Sequence, residues 1–458
     1  MWKILVVLIL LAAGAATAWV MAGRAEGPAI EITGPEMIGQ TGEIDVAVTA
    51  PNALLNSLEV TLSQNGVTTS VFSLAAAGAA AELTHDGADN VRLSKPTGKS
   101  VIPDLKQGDA EITVKAVRPV LFGLREAATT ATRGVMVHLN PPQISVLSLH
   151  HFINHGGSEA VIYRVNPPDA ESGVRVGDDE YRGFPASGAG IDNGDPALRI
   201  AFFALLWNQP VDTPIHLYAR DSLGNEGSGA LEYRVFEKEF RKSQIHLDDR
   251  FLAKVVPPIL QNTPELKVDD PTDMLASYLT INRELRRLND ATIADLAKQT
   301  APKILWHGPF KQLINTAVEA GFADQRTYVY NGKDVDHQVH LGFDLASVAA
   351  APVHAANSGR VVHAGWLGIY GNCVIIDHGM GLQSLYAHLS SISVKVGDMV
   401  EADDLLGHTG STGLAGGDHL HFTMLLGGHA VTPIDWWSPQ WVQDRVLRKI
   451  TEAGGTPP

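Results

Sequence analysis

The sequence predicts a mainly β protein of several domains, and three observations carry that expectation. Short apolar–polar alternations recur along most of the chain, among them AIEITG, EIDVAVTA, SLEVTLSQNG, DAEITVKAV and RGVMVHL. Turn formers punctuate them, with 44 glycines and 25 prolines in 458 residues. Helical periodicity is confined to the N-terminus and one internal stretch. At about 150 residues per domain, the length accommodates roughly three domains.

Residues 1–25 read as a membrane anchor or signal peptide. Lys3 precedes an unbroken run of small or apolar residues from Ile4 to Gly23, closed by Arg24. Twenty residues at about 1.5 Å each cover about 30 Å, the width of a bilayer core. Ala16-Thr17-Ala18 has the form of a cleavage site, whereas the bulky continuation Trp19-Val20-Met21 favours an uncleaved anchor. Both readings export the rest of the chain.

Residues 26–140 form the first β-sandwich unit, and Pro141-Pro142 marks a break. A second unit over 141–240 carries QISVLSLHHF, EAVIYRV, ALRIAFFALLW and GALEYRVF. Its run ARDSLGNEG looks like the last hairpin of immunoglobulin-like modules, with Gly224-Asn225 at the turn. Two immunoglobulin-like units are therefore expected. Residues 241–303 change character to a helical linker. Leu275, Tyr278, Leu279, Leu285 and Leu288 share one helical stripe, and Pro271 with Thr272 or Asp273 supplies a start signal. Glycine-punctuated β sequence resumes over 304–442, before a polar tail over 443–458.

The balance of 45% hydrophobic and 19% charged residues is that of a folded globular chain. Thirty-five basic against 50 acidic residues leaves a net charge of −15, which excludes nucleic acid as a general partner. Cys373 is the single cysteine, so any metal must be held by histidine and carboxylate.

Four fragments between Arg326 and Trp437 carry chemistry: HLGFDLA from His340, SLYAHLS around His388, GHTGSTGLAGGD, and HLHF from His419. A catalytic zinc takes three protein ligands and keeps a fourth position for water. His340 and Asp344 lie four apart and His419 and His421 two apart, even separations that share a face on an extended strand. Gly342 permits close approach to a metal or a sharp bend. Leu420 and Phe422 alternate with the late histidines and should enter the core. There is no HExxH helix to supply a glutamate base.

In these four motifs, and in flanks such as FADQRTYVYNG and YGNCVIIDHG, the region from Ile304 to Trp441 resembles the lysostaphin/LytM-type zinc endopeptidases. These family 23 metallopeptidases hydrolyse peptidoglycan. The resemblance implies a two-sheet duplicated hybrid motif holding Zn2+ on His340, Asp344 and His421. It implies that His388 and His419 are the non-ligand catalytic histidines. The implied substrate is a stem or bridge peptide of the wall, met in the periplasm or cell envelope, with residues 4–23 as an inner-membrane tether. Departures lie outside the motifs: Gly417-Asp418 replace a common proline before HLHF, and Ala323 stands where glycine is usual. The competing class is a catalytically inactive relative that binds peptidoglycan or regulates an amidase. Such a relative is expected to lack a ligand, and all five positions are occupied here. A regulatory partner protein is left open.

The remaining candidates have simpler readings. His354, His363, His378 and His408 are expected to be structural or exposed. His150, His151 and His155 straddle a turn without a carboxylate pattern. Cys373 reads as a small buried hydrophobe. Tyr386 reads as core or cleft lining, and Trp436 and Trp437 as packing residues. Arg326 and Tyr330 are candidates for the border of a substrate groove, without an assigned role.

Overall fold

Strands, most of them paired antiparallel, outnumber helices as the regular structure of the chain, as the alternating pattern requires. The computed structural model describes residues 2–192 and 194–457. It divides into two units, Met1–Pro142 with Arg220–Glu226, and Gln143–Ala219 with Gly227–Pro458.

The first unit begins with helix α1, Trp2–Ala22, in which no residue is buried. Two sheets follow. One has four strands in the order Ala29–Thr33, Glu43–Thr49, Asn90–Pro96, Thr84–His85. The other has five, in the order Met37–Ile38, Arg125–Val137, Gly108–Val120, Ser57–Gln64, Val67–Ser73. Alternate residues of facing strands point inward: Ile44, Val46, Val48 and Leu93 meet Leu58, Val60, Leu62, Ile112 and Val114 in one core.

In the second unit the strands Ser158–Asn166 and Leu198–Ala204 pair antiparallel. Their apolar face does not close on itself. It continues into the C-terminal sheet as a single core, where Phe202 meets the edge of Trp436 at 5.8 Å and Trp306 meets the same indole at 5.7 Å.

The stretch expected to be a helical linker opens with a strand. Lys242–Leu247 pairs in parallel with Asp324–Tyr330, from Lys242 opposite Gln325 to Leu247 opposite Tyr330. Helix α2 follows over Asp249–Asn262, capped by Asp248, whose Oδ1 accepts from the Phe251 amide at 2.7 Å. Leu252, Val255, Val256 and Ile259 are its buried stripe. Helix α3, Met274–Thr280, starts at Asp273, which caps the Ala276 amide. It runs through a π-helical turn, Ile281–Leu285, into α4, Arg286–Ala297. Tyr278 and Leu285 are buried from the expected stripe, and Leu275, Leu279 and Leu288 pack at the margin.

The C-terminal sheet is ordered Ala317–Ala320, Phe343–Ala346, Leu420–Leu426, Leu382–Leu389, Asn372–Gly379, Gly359–Trp366, Met399–Val400, and His429–Val431 pairs on Leu420–Leu426. A small sheet of Pro352–His354, Leu405–His408 and Ser391–Ile392 accompanies it. Short helical turns over Pro433–Trp437, Pro439–Val442 and Arg448–Glu452 end the fold.

Candidate metal centre

His340 closes the strand Lys333–His340, which belongs to the small sheet with Asp324–Tyr330. Within four residues the chain has turned into Phe343–Ala346, which pairs with Leu420–Leu426 in the larger sheet and places Asp344 opposite His421. The expectation that His340 and Asp344 share a face of one extended strand is therefore corrected. They lie on different sheets, and the bend at Gly342 swings the imidazole onto the carboxylate. A Cβ at Gly342 would stand 2.6 Å from the His421 ring and 2.5 Å from Thr423 Oγ1, so only glycine lets the strands approach this closely. Ala323 holds the left-handed φ of 60° that glycine adopts freely, and its amide donates to the His340 carbonyl at 2.7 Å.

Three side-chain atoms converge. His340 Nε2 and His421 Nδ1 lie 2.8 Å and 3.0 Å from the same Asp344 oxygen, Oδ1, and 2.9 Å from each other. The neighbours determine which nitrogens carry protons. His340 Nδ1 is 3.0 Å from the Gly321 carbonyl, an acceptor only, so it donates there and leaves Nε2 bare in the neutral ring. Thr423 Oγ1 gives its proton to the Leu341 carbonyl at 2.9 Å and so accepts from His421 Nε2 at 3.0 Å, leaving His421 Nδ1 bare. Two lone pairs and a carboxylate oxygen thus face one another, an arrangement that repels itself unless a cation or an added proton lies between them. Among the described residues, His340, Asp344 and His421 are the group of buried ligand types able to hold a metal ion. The donor set, two imidazoles and one carboxylate, suits zinc.

Electrostatics reinforce the grouping. Burial pushes His421 down to about 4, with His340 adding to the effect and Asp344 opposing it. Burial raises the Asp344 carboxyl, but with the added proton rather than a cation between these atoms, the charge and hydrogen bond of His340 and the bonds from His419 and His421 prevail. They hold it well below the usual carboxylate range.

His388 and His419 flank this group. Their ring centres are 4.9 Å apart, and His388 is 5.7 Å from the His421 ring. Strand alternation would turn His388 away, because its neighbour Ala387 pairs with His421. A φ of 62° turns it back. His388 Nδ1 donates to the Thr412 carbonyl at 2.8 Å and His419 Nδ1 to the Gly417 carbonyl at 3.0 Å. Both rings therefore keep Nε2 for the cleft, and His419 Nε2 stands 3.5 Å from Asp344 Oδ1. Burial pushes His388 well below the ordinary histidine value. Burial acts the same way on His419, but the Asp344 carboxylate outweighs it and raises the group.

A family model described as Peptidase family M23 matches residues 338–433, the stretch that holds all five groups. This part of the chain is an M23 peptidase domain. It is 39% identical over 97 residues to the DD-carboxypeptidase/endopeptidase Mpg of Neisseria meningitidis serogroup B, covering 21% of this chain and 22% of that one. It is 32% identical over 109 residues to the peptidoglycan DD-endopeptidase ShyB of Vibrio cholerae, covering 24% of this chain and 25% of that one. Among solved structures, the catalytic domain of lysostaphin from Staphylococcus simulans aligns at 32% identity and a TM-score of 0.23, over 27% of this chain and 92% of that chain. The matches thus span about a quarter or less of the curated relatives' lengths.

The walls of the M23 site add residues that no motif announced. Arg326 donates from Nη2 to the second Asp344 oxygen, Oδ2, at 3.1 Å, and points Nε toward Asp324 at 3.4 Å. That leaves Oδ1 for the two histidines. Phe251, Tyr278 and Arg286 of the helical stretch join Tyr328 and Tyr370 around a cavity of about 250 Å³ at the site. Lys254 Nζ reaches across to the Gly416 carbonyl at 2.8 Å. Tyr330 instead bonds Asp249 at 2.6 Å. Arg326 and Tyr328 lie in the flank FADQRTYVYNG and Tyr370 opens the flank YGNCVIIDHG, although the sequence reading singled out only Arg326 of these; Phe251, Lys254, Tyr278 and Arg286 come from sequence-distant helices.

The other histidines stand apart. His378 is buried between the Ser358 carbonyl and Ser384 Oγ, each at 2.7 Å. His354 is exposed, and His363 and His408 are half-buried with their own local partners. His151 bonds Ser148 and the Glu232 carbonyl, while His155 bonds the Gln209 carbonyl. Cys373 and Tyr386 are core residues.

Proposed function

We propose that this chain is an exported, zinc-dependent endopeptidase that hydrolyses peptide bonds in peptidoglycan cross-links or bridges. One observation carries the reading: His340 Nε2 and His421 Nδ1, on rings whose other nitrogens are tied to the Gly321 carbonyl and Thr423 Oγ1, face the same Asp344 oxygen within hydrogen-bond distance. The relatives named as peptidoglycan or DD-endopeptidases support the substrate class. The apolar α1 supports export, as a signal or an anchor.

His340, Asp344 and His421 would hold the zinc, with Arg326 and Thr423 fixing the carboxylate and the second imidazole. Bound there, zinc would supply a Lewis acid that lowers the pKa of a coordinated water to about 7 and polarises a carbonyl. The remaining chemistry belongs to His388 and His419. Each has Nδ1 tied to a backbone carbonyl, so each exchanges protons through Nε2. One takes a proton from the attacking water, and the other donates to the tetrahedral oxygen or the leaving amine. Tyr278, Tyr328 and Tyr370 narrow the cavity and limit bulk water.

The test is mass spectrometry of fragments released from purified sacculi by the wild type and by His340→Ala, with zinc quantified in both. The wild type should carry about one zinc per chain and release peptide fragments, and His340→Ala should do neither. A zinc-loaded wild type that releases nothing would instead identify an inactive relative that binds the wall or regulates an amidase.

A further inference from the structure

The long hairpin of strands Gly108–Val120 and Arg125–Val137 ends in a turn, residues 121–124, in which Leu121 is half-buried and Phe122 and Leu124 are exposed. Leu121 and Phe122 take left-handed φ values of 51° and 54°, which residues of this bulk rarely adopt. Phe122 is 103% exposed and Leu124 69%. A strained turn that displays apolar groups outward calls for a partner.

The chain entering this unit indicates what that partner is, because it runs beside the same hairpin. Gly27 is so close to the far strand that a Cβ there would lie 2.2 Å from Thr129 Oγ1. One step nearer the turn, Arg118 donates twice to the Glu26 carbonyl, at 2.9 Å and 2.7 Å. At the base of the turn, Arg125 pairs with Val120, donates to the Trp19 carbonyl at 2.7 Å and covers the Trp19 ring at 4.9 Å. Stepping back along the chain from Gly27 to Trp19 is therefore stepping forward along the hairpin to its turn. The turn lies on the α1 side of the unit, level with the last turns of a 21-residue apolar helix that buries nothing. Tryptophan at such a helix end sits at the headgroup level of a bilayer.

We propose that the Leu121–Leu124 turn is a lipid-contacting wedge. Resting on the reading of α1 as a retained span, it dips Leu121, Phe122 and Leu124 into the headgroup–acyl boundary of the leaflet that Trp19 marks. Arg118 and Arg125 then stand at the phosphate layer. The partner is the bilayer surface. A helix alone would let the first β unit swivel, whereas a helix and a wedge together fix its orientation over the membrane.

The full chain, reconstituted into phosphatidylethanolamine–phosphatidylglycerol vesicles, tests this. Phe122→Cys carries an environment-sensitive fluorophore, native Cys373 being buried. The control is Asn65→Cys, in the turn after Ser57–Gln64; that strand's end lies opposite Glu111, at the other end of the hairpin. Lipids bearing a nitroxide at the top of the acyl chain should quench most of the emission at position 122 and little at position 65. Vesicle-bound chain with no quenching at 122, or equal quenching at both sites, overturns the wedge and leaves the anchor standing. Chain that does not float with vesicles and begins beyond Ala18 overturns the anchor, and the wedge with it.

Discussion

Lys449 Nζ lies 2.9 Å from Glu159 Oε1, a salt bridge in which the two side chains are 3% and 0% exposed. It joins the last helix of the chain to the strand Ser158–Asn166, far from the metal centre in sequence. Lys449 also donates to the Ala160 carbonyl at 2.7 Å, and Glu159 accepts from the Phe152 and Ala160 amides at 2.8 Å. Burial pushes Glu159 up and Lys449 down, and their contact opposes both. Lys449→Met should leave a buried carboxylate without its partner and cost about 3–5 kcal/mol. Adding Glu159→Gln should recover part of the loss. Urea denaturation of the three proteins measures it, and no recovery in the double variant would count against a coupled pair.

The shared core makes a second prediction. A chain beginning at Ile304 would strip Phe202 from Trp436 and Lys242–Leu247 from Asp324–Tyr330. It should aggregate or unfold without cooperativity, whereas a chain beginning at Gln143 should melt in one transition. Calorimetry of both truncations checks this, and a cooperative transition from the shorter one would sink it.

Gly342→Ala should damage the centre without dismantling the fold. Its methyl would meet His421 at 2.6 Å and displace one proposed ligand. Zinc affinity, read by competition with a chromogenic chelator, should fall about 10–100-fold. Unchanged affinity would mean that the strands separate at little cost.

His388→Ala and His419→Ala divide the site by role. If neither ring is a ligand, both variants keep wild-type zinc content while turnover on sacculi falls about 10²–10⁴-fold. Zinc lost together with activity would move that histidine into the ligand set.

Acid sensitivity follows from His378. Burial pushes this ring down to about 4, while the unfolded chain takes up its proton near pH 6.5. Between those values the unfolded state binds more protons, so stability rises with pH and is lost on acidification. The slope from this one group is up to about 1.4 kcal/mol per pH unit. His378→Gln should flatten the profile by that amount in denaturation series between about pH 4.5 and 7.5. An unchanged slope would show that the ring does not titrate on unfolding.

Periodicity and residue type are local properties, and what rests on them was legible in the sequence: the mainly β class, the helix ahead of Arg24, a start of α3 at Thr272 or Asp273, and the five polar side chains that the fold brings together. The His419–His421 alternation also held, with Leu420 and Phe422 turned into the core. Partnership across the chain is not local. The polar stretch Lys242–Leu247 has little strand character alone and becomes a strand because Asp324–Tyr330 offers it an open edge. The bend at Gly342 brings His340 to Asp344 from a different sheet, where spacing along one strand had put the two on a common face. Which nitrogen of each ring is bare, and that Arg326 occupies the far oxygen of Asp344, depend on carbonyls and side chains that meet only when the sheets close. Tertiary structure decided these points because hydrogen bonds and desolvation act through space, over distances the order of residues does not encode.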